Sequence, residues 1–326
     1  MLSTKELMSY DKILVCFSGG KDSIGCVLSM LDAGIPKEKI EIHHHSIDGH
    51  EGSVLMDWPI TPDYCRAFAE TLNLPIYYSW RVGGFEREML RCDQLTAPCR
   101  FETPEGEIKQ VGGDRGKPNT RRKFPQVSAN LSVRWCSAYT KIMVCDALII
   151  NQERFRNKRT LVVTGERAEE SSARAKYKIF EPDRSDLRDG KKYQRHVDHY
   201  RVVHDWDEAK IWEAMERYKI NPHPAYKLGW GRLSCMACIF GNKNQWASVK
   251  EIDPNRFRKI SEYEKEFECT IHRTKNVAEL VQEGKPYANM NILDIHQAMA
   301  TEYRENIILK KWQLPSGAFG DNTGPS

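Results

Sequence analysis

Three groups of residues in this chain have types and spacings that could do chemistry. The first is Ser18-Gly19-Gly20-Lys21-Asp22-Ser23. Two glycines there can take positive φ and bring backbone N–H groups around an anion at a helix start. Ser18 and Ser23 add hydroxyl donors, Lys21 adds a point charge, and Asp22 could hold a metal or orient the loop. The string has neither the GxxxxGK[ST] spacing of a Walker loop nor the GxGxxG of a dinucleotide fold. The second group is Gly165-Glu166-Arg167-Ala168-Glu169-Glu170-Ser171-Ser172-Ala173-Arg174, where Arg167 and Arg174 offer planar forks suited to phosphate or carboxylate oxygens. Glu170 could fix one fork or take part in metal binding; alone, the string also reads as a mixed-charge surface helix. The third is Cys235-Met236-Ala237-Cys238, whose two thiolates suit zinc, an iron–sulfur cluster or a redox pair.

These groups need elements to hold them. Ile13 to Phe17 form a short apolar run, and Ile24, Val27, Leu28 and Leu31 then follow helical spacing. Strand, glycine loop and helix are therefore predicted in succession. Residues 38–47 predict a second strand, closed by Asp48-Gly49-His50-Glu51-Gly52. Asp48 lands at a carboxyl strand end, where parallel sheets gather ligand-binding groups. His43, His44 and His45 alternate faces in a strand and cannot all converge on one ion. A helix over 63–72 and a strand over 75–80 complete a β-α-β-α-β pattern, which predicts a doubly wound sheet. Residues 81–130 lack periodicity and read as a functional or mobile insertion. Cys136 opens a predicted helix carrying Lys141; TLVVTG at 160–165 predicts the fourth strand and residues 199–206 the last. Trp212, Met215 and Tyr218 mark a later helix face, and residues 314–326 read as a loose tail.

At 326 residues, with 40% apolar and 29% charged residues, the chain suits a soluble globular protein of one large domain or two. There is no 18-residue apolar run, so no membrane is expected, and the opening MLSTKELMSYDK has no signal-peptide core. A cytoplasmic location is the expectation. Ten cysteines in that setting read as thiols, metal ligands or catalytic groups, with Cys16 and Cys26 as plain core thiols. The net charge of +4 is uneven: residues 114–159 hold eleven Lys or Arg against three acids. Its densest part, residues 115–123, reads as a solvated loop or as a flexible arm that meets a polyanion.

The Ser18–Ser23 string resembles the pyrophosphate-binding loop of the adenine-nucleotide α-hydrolases, which include the N-type ATP pyrophosphatases and the sulfonucleotide (PAPS) reductases. Gly165, Arg167, Glu170, Ser171 and Arg174 fill a G-x-R-x-x-E-S-x-x-R string similar to one in that superfamily. Pro222-His223-Pro224-Ala225-Tyr226, Gly229 and the following Cys pair are also similar to family strings. The resemblance implies a Rossmann-like PP-loop fold, with a five-stranded, mainly parallel sheet between helices. It implies ATP and Mg²⁺ at Ser18, Gly19, Gly20, Lys21, Asp22, Ser23, Asp48 (ribose or adenine), Gly165, Glu170 and Ser171. In several relatives a further cysteine joins the pair, which implies Cys136, Cys235 and Cys238 as ligands of a [4Fe-4S] cluster or zinc, or as a persulfide relay. Cys145, Cys99 and Cys92 remain candidates for a fourth ligand.

The chain looks most like the PAPS-reductase-like sulfur-transfer component of bacterial DNA phosphorothioation systems. That implies an ATP pyrophosphatase: ATP yields AMP and pyrophosphate, the acceptor is adenylated, and sulfur displaces AMP. Lys21, Asp22, Arg167, Arg174, Cys136, Cys235 and Cys238 are the implied catalytic residues. The implied partners are a cysteine desulfurase, DNA and other phosphorothioation proteins. Two alternatives stay open, a PAPS or APS reductase and a tRNA-thiolating ATP pyrophosphatase. Against the reductase, Trp135 breaks the adjacent Cys-Cys pair of APS reductases, and Glu268-Cys269-Thr270-Ile271-His272 has threonine in place of the glycine of the reductase tail. The expected division is a nucleotide domain over 1–230, with the basic insertion at 81–130, and a Cys-containing helical region over 231–326.

Overall fold

The computed structural model describes residues 1–128 and 130–320. Eight strands form one sheet: β1 (Lys12–Cys16), β2 (Ile40–Ser46), β3 (Ile76–Arg81), β4 (Cys99–Glu102), β5 (Ile108–Val111), β6 (Arg159–Val163), β7 (Phe180–Pro182) and β8 (His196–Tyr200). Their order is β5-β4-β3-β2-β1-β6-β8-β7. The pairs β3·β2, β2·β1, β1·β6 and β6·β8 are parallel, and the outer pairs are antiparallel. The sheet is thus α/β and mainly parallel, but it has eight strands and not five. The extra strands are short and peripheral, which is why periodicity did not expose them.

Two of those extra strands, β4 and β5, lie in the segment expected to be irregular. The helix Gly84–Leu90 lies there too. The last parallel strand also starts and stops earlier than the apolar run 199–206 suggested. Val202 and Val203 are buried beyond the end of β8 in turns, where Val203 packs near Gly25 of the helix Lys21–Asp32. An apolar run that packs through a turn looks like a strand in sequence.

The strand pleat sorts side chains to two faces. Ile13, Val15, Ile40 and Ile42 join a large core that reaches from Leu7 to Ile307. Leu14, Val162 and Val197 face the other way and pack with Phe101, Leu148, Ile149 and Phe155, with Cys16 and Cys145 at the margin. After Tyr200 the described residues form helices and turns, including Lys243–Ile252, Pro254–Phe267, Val277–Glu283 and Ile292–Met299. Among the described residues no helix is long and apolar enough to cross a membrane.

The expected loose tail is held in its described part. Trp312 Nε1 donates to Ile220 O at 2.8 Å, Gly317 N to Tyr226 O at 2.8 Å, and Phe319 N to Glu208 Oε1 at 3.2 Å. Residues 321–326 lie outside the described residues.

Candidate nucleotide and sulfur site

β1 runs straight into the Ser18–Ser23 loop, and the helix Lys21–Asp32 begins within it. Gly19 has φ +77°, a conformation that opens the turn without a Cβ clash. Ser23 Oγ donates to Gly20 O at 2.8 Å, and Ser18 N donates to Ser23 Oγ at 3.3 Å, so the two serines brace the turn. The loop lies between β1 and its neighbours β2 and β6, at the point where strand order runs outward in both directions. Open parallel sheets bind ligands at such a point.

Lys21 is held inside the protein. Its Nζ donates to Gly231 O at 2.9 Å and lies 3.6 Å from Glu208 and 4.0 Å from Asp22. Burial alone would lower its pKa, but Asp22, Tyr226 and Glu208 together raise it. The ammonium therefore stays charged. Tyr226 braces the same place: its phenolic oxygen accepts from Lys21 N at 3.0 Å and from Leu233 N at 3.2 Å. One hydroxyl thus joins the phosphate-type loop to the loop before the cysteine pair. Removing it leaves two N–H donors without that acceptor, at about 1–3 kcal/mol per buried group. Tyr226→Phe is expected to lower stability by about 2 kcal/mol, read as a shift in urea midpoint. An unshifted midpoint would show that water replaces the phenol without cost.

The second motif closes on the first. Arg167 Nε donates to Asp22 at 2.6 Å, its Nη1 pairs with Glu169, and Nη1 also reaches Trp206 O at 3.4 Å. Asp22 is held below its ordinary carboxylate value: burial works against this, while Lys21, Arg167 and Arg232 outweigh it. Gly165 permits the approach, since a Cβ there would meet Asp22 backbone atoms at 3.0 Å. Glu170 accepts from Arg167 N at 2.9 Å and pairs with Arg174, while Ser171 Oγ accepts from Arg174 N at 3.2 Å.

Asp48 lies just past the end of β2. Its carboxylate accepts from Met56 N and Asp57 N at 2.8–3.1 Å and so ties down the loop after β2. Two arginines that the sequence reading had not assigned join the site. Arg134 is buried, its Nε has no partner among the described residues, and it lies within electrostatic range of Arg174 and Arg232. Burial is the main force lowering its pKa, and the two neighbouring guanidinium groups add to it. Like charges held this close favour an anion between them. Arg134 stands two residues before Cys136 and Arg232 three before Cys235. That adjacency to the cysteines was the available signal.

Cys136, Cys235 and Cys238 do come together, close enough for Cys238 to raise the pKa of both others. Burial is the largest cause and pushes Cys136 up to about 11 and Cys235 well above the ordinary thiol value, with Lys141 opposing in both cases. Among the described residues, however, these three are not a set whose sulfurs all lie within 4.8 Å. A single tetrahedral zinc ion would need them closer, whereas a cluster places its thiolates on separate irons and holds them further apart. The donor set is three thiols, a chemistry that suits soft metal centres. Cys145 does not join this set; it lies 3.9 Å from Cys16, which is no isolated core thiol. The hydrogen bond between them holds Cys16 down to about 6 and leaves the proton on Cys145.

Asp57 borders the cysteines and acts on Cys235. Burial, then Asp48, push its carboxyl up from 3.8 to about 7. A raised carboxyl pKa means the folded state binds the proton more tightly, so this contribution is full below about pH 4 and is lost as pH rises through 7. Asp57→Asn is expected to flatten the fall in melting temperature between about pH 4 and 7, the window set by that shift. An unchanged slope would remove Asp57 as its source.

The basic segment is less free than expected. Arg121 donates to Glu88 at 2.8 Å and stacks 4.5 Å over Trp135 and Tyr139, while Arg122 pairs with Glu266. Arg115, Lys117 and Lys123 remain exposed. The charge density hid this, because ion pairing is a tertiary fact.

No curated protein matches the chain. Residues 116–240 are similar to the phosphoadenosine phosphosulfate reductase domain, a span that holds Cys136, Gly165–Arg174 and Cys235–Cys238.

Proposed function

We propose that this chain is an ATP pyrophosphatase that activates a nucleic-acid phosphate for sulfur incorporation, with a DNA backbone phosphate as acceptor. The reading is carried by one observation: the buried, partnerless Nε of Arg134 stands near Arg174, Arg232 and Cys136. A polyanion-binding group thereby adjoins the thiols. The similarity of residues 116–240 to a domain acting on a sulfonucleotide supports an adenine nucleotide and sulfur chemistry in one enzyme.

In this reading ATP lies along the Ser18–Ser23 loop. The acceptor oxygen attacks the α-phosphate, the bond to the β-phosphate breaks, and pyrophosphate leaves. The positive end of the helix Lys21–Asp32 and the arginines stabilise the charge that develops on the leaving group. Lys21 holds the loop in shape through Gly231 and Glu208. Asp22, one oxygen of which accepts from Arg167, would hold Mg²⁺ bound with the nucleotide, and that ion would supply charge neutralisation at the phosphates. Cys136, Cys235 and Cys238 would hold an iron–sulfur cluster, whose chemistry when bound would be to carry sulfide; attack of sulfide on the adenylated acceptor phosphorus would break the bond to AMP, which leaves. A cysteine desulfurase is the donor in this scheme, its persulfide sulfur being reduced to sulfide by an external dithiol, and Arg115, Lys117 and Lys123 offer exposed charge for DNA.

The test is pyrophosphate release from ATP by the purified chain, with and without DNA. DNA-stimulated release is expected, and Arg134→Ala should raise KM for ATP about tenfold or more. Turnover of PAPS with thioredoxin and none of ATP would replace the proposal with a sulfonucleotide reductase.

A further inference from the structure

On the sheet face away from the large core, β1, β2 and the helix Met143–Ile150 bring three residues to one point. Cys16 is the last residue of β1, His45 lies near the end of β2, and Cys145 sits in the first turn of that helix. Among the described residues, theirs is the only set of three or more His, Cys, Asp or Glu side chains whose ligand atoms all lie within 4.8 Å of one another. The pleat explains the pairing, since Cys16 shares a face with Leu14, while His45 is two residues beyond His43, the register partner of Cys16.

From this convergence we propose a second site, separate from Cys136, Cys235 and Cys238, in which Cys16, His45 and Cys145 bind one borderline-soft divalent cation such as zinc. The Cys16 and Cys145 sulfurs are 3.9 Å apart. Two thiolates on one tetrahedral zinc, each about 2.3 Å from the metal, stand about 3.8 Å apart. His45 is already oriented for the task. Its Nδ1 bonds to Ser79 Oγ at 2.7 Å, while its Nε2 is buried and has no partner among the described residues. Ligating histidines commonly use their second ring nitrogen in this way, and the partner fixes the ring. Three protein ligands leave a fourth position for a water. Because Cys16 directly precedes Phe17 and the Ser18–Ser23 loop, the ion would pin the strand that carries the loop to the helix beyond Cys136.

The test uses the full chain, reduced and stripped with a chelator, and Co²⁺ as a spectroscopic probe. To silence the other cysteines, titration is done in the Cys136→Ala/Cys235→Ala/Cys238→Ala variant, with circular dichroism as a check on folding. About one Co²⁺ per chain is expected, with thiolate charge-transfer bands and tetrahedral d–d absorption. Zn²⁺ should displace it. Adding Cys16→Ser or Cys145→Ser should abolish those bands, and Ser79→Ala in the wild-type background should weaken binding about tenfold. If the triple variant fails to fold, His45→Gln in the otherwise native chain carries the test, and should lower the stoichiometry by one. Retention of the bands after Cys16→Ser, or unchanged stoichiometry in His45→Gln, would overturn the proposal. So would intact mass showing that Cys16 and Cys145 lose two hydrogens to a disulfide in air even with Zn²⁺ present.

Discussion

Arg167→Ala is expected to destabilise the protein by about 3 kcal/mol and to lower pyrophosphate release by about a hundredfold or more. Arg167 is 2% exposed and Asp22 19%. Breaking such a pair strands a charge, and its cost falls at the low end of the range for buried pairs because Asp22 keeps some water. The arginine also caps the turn that follows β6, through Glu169 and Glu170. Arg167→Lys should recover little, since one ammonium cannot reach Asp22, Glu169 and Trp206 O in the directions a guanidinium fork serves. Chemical denaturation measures the first effect and single-turnover ATP cleavage the second. Wild-type stability together with wild-type release would show that the two motifs act independently.

On the proposed function, Cys235→Ser is expected to separate ATP cleavage from sulfur transfer. ATP cleavage should persist within about threefold of wild type, while sulfur transfer to DNA should fall below detection. The reason lies in where Cys235 sits: its thiol interacts with Asp57, Lys141 and Cys238, and the contacts that hold the loop come from Lys21, Tyr226 and Arg167. Serine keeps the volume but is a poor ligand for soft metals. Phosphorothioate content of DNA and pyrophosphate release, assayed on the same preparation, give both readouts. Loss of both together would mean that the cysteine region organises the nucleotide loop, and continued sulfur transfer would remove Cys235 from the chemistry.

Much of the framework was legible because local pattern and spacing carried it. The glycine loop, the succession of the parallel strands along the chain and the helix carrying Trp212 and Met215 follow from residues within short windows. What stayed hidden depends on distant partners. β4 and β5 are four residues each and gain their pairing from β3, so no periodicity announces them. Asp48 looked like a ligand contact by its place at a strand end, yet the N–H groups of residues 56 and 57 take its oxygens. Arg134 looked ordinary until Arg174 and Arg232 came near it. Cys16 looked like a core residue because its neighbours in sequence are apolar, and its partner lies 129 residues away.

The same long reach governs when the site can exist. The Lys21 ammonium meets a carbonyl 210 residues further along, and its N–H meets a phenol 205 residues further along. Phe319 N then closes on Glu208, the carboxylate that faces Lys21. The loop after β1 stays incomplete until segments more than 200 residues further along have folded against it. Contacts of such sequence separation form slowly because the intervening chain must first be ordered. The loop is therefore among the last parts of the fold to be finished, and on the proposed function ATP cleavage would wait until the segment that carries the cysteine pair has folded against it.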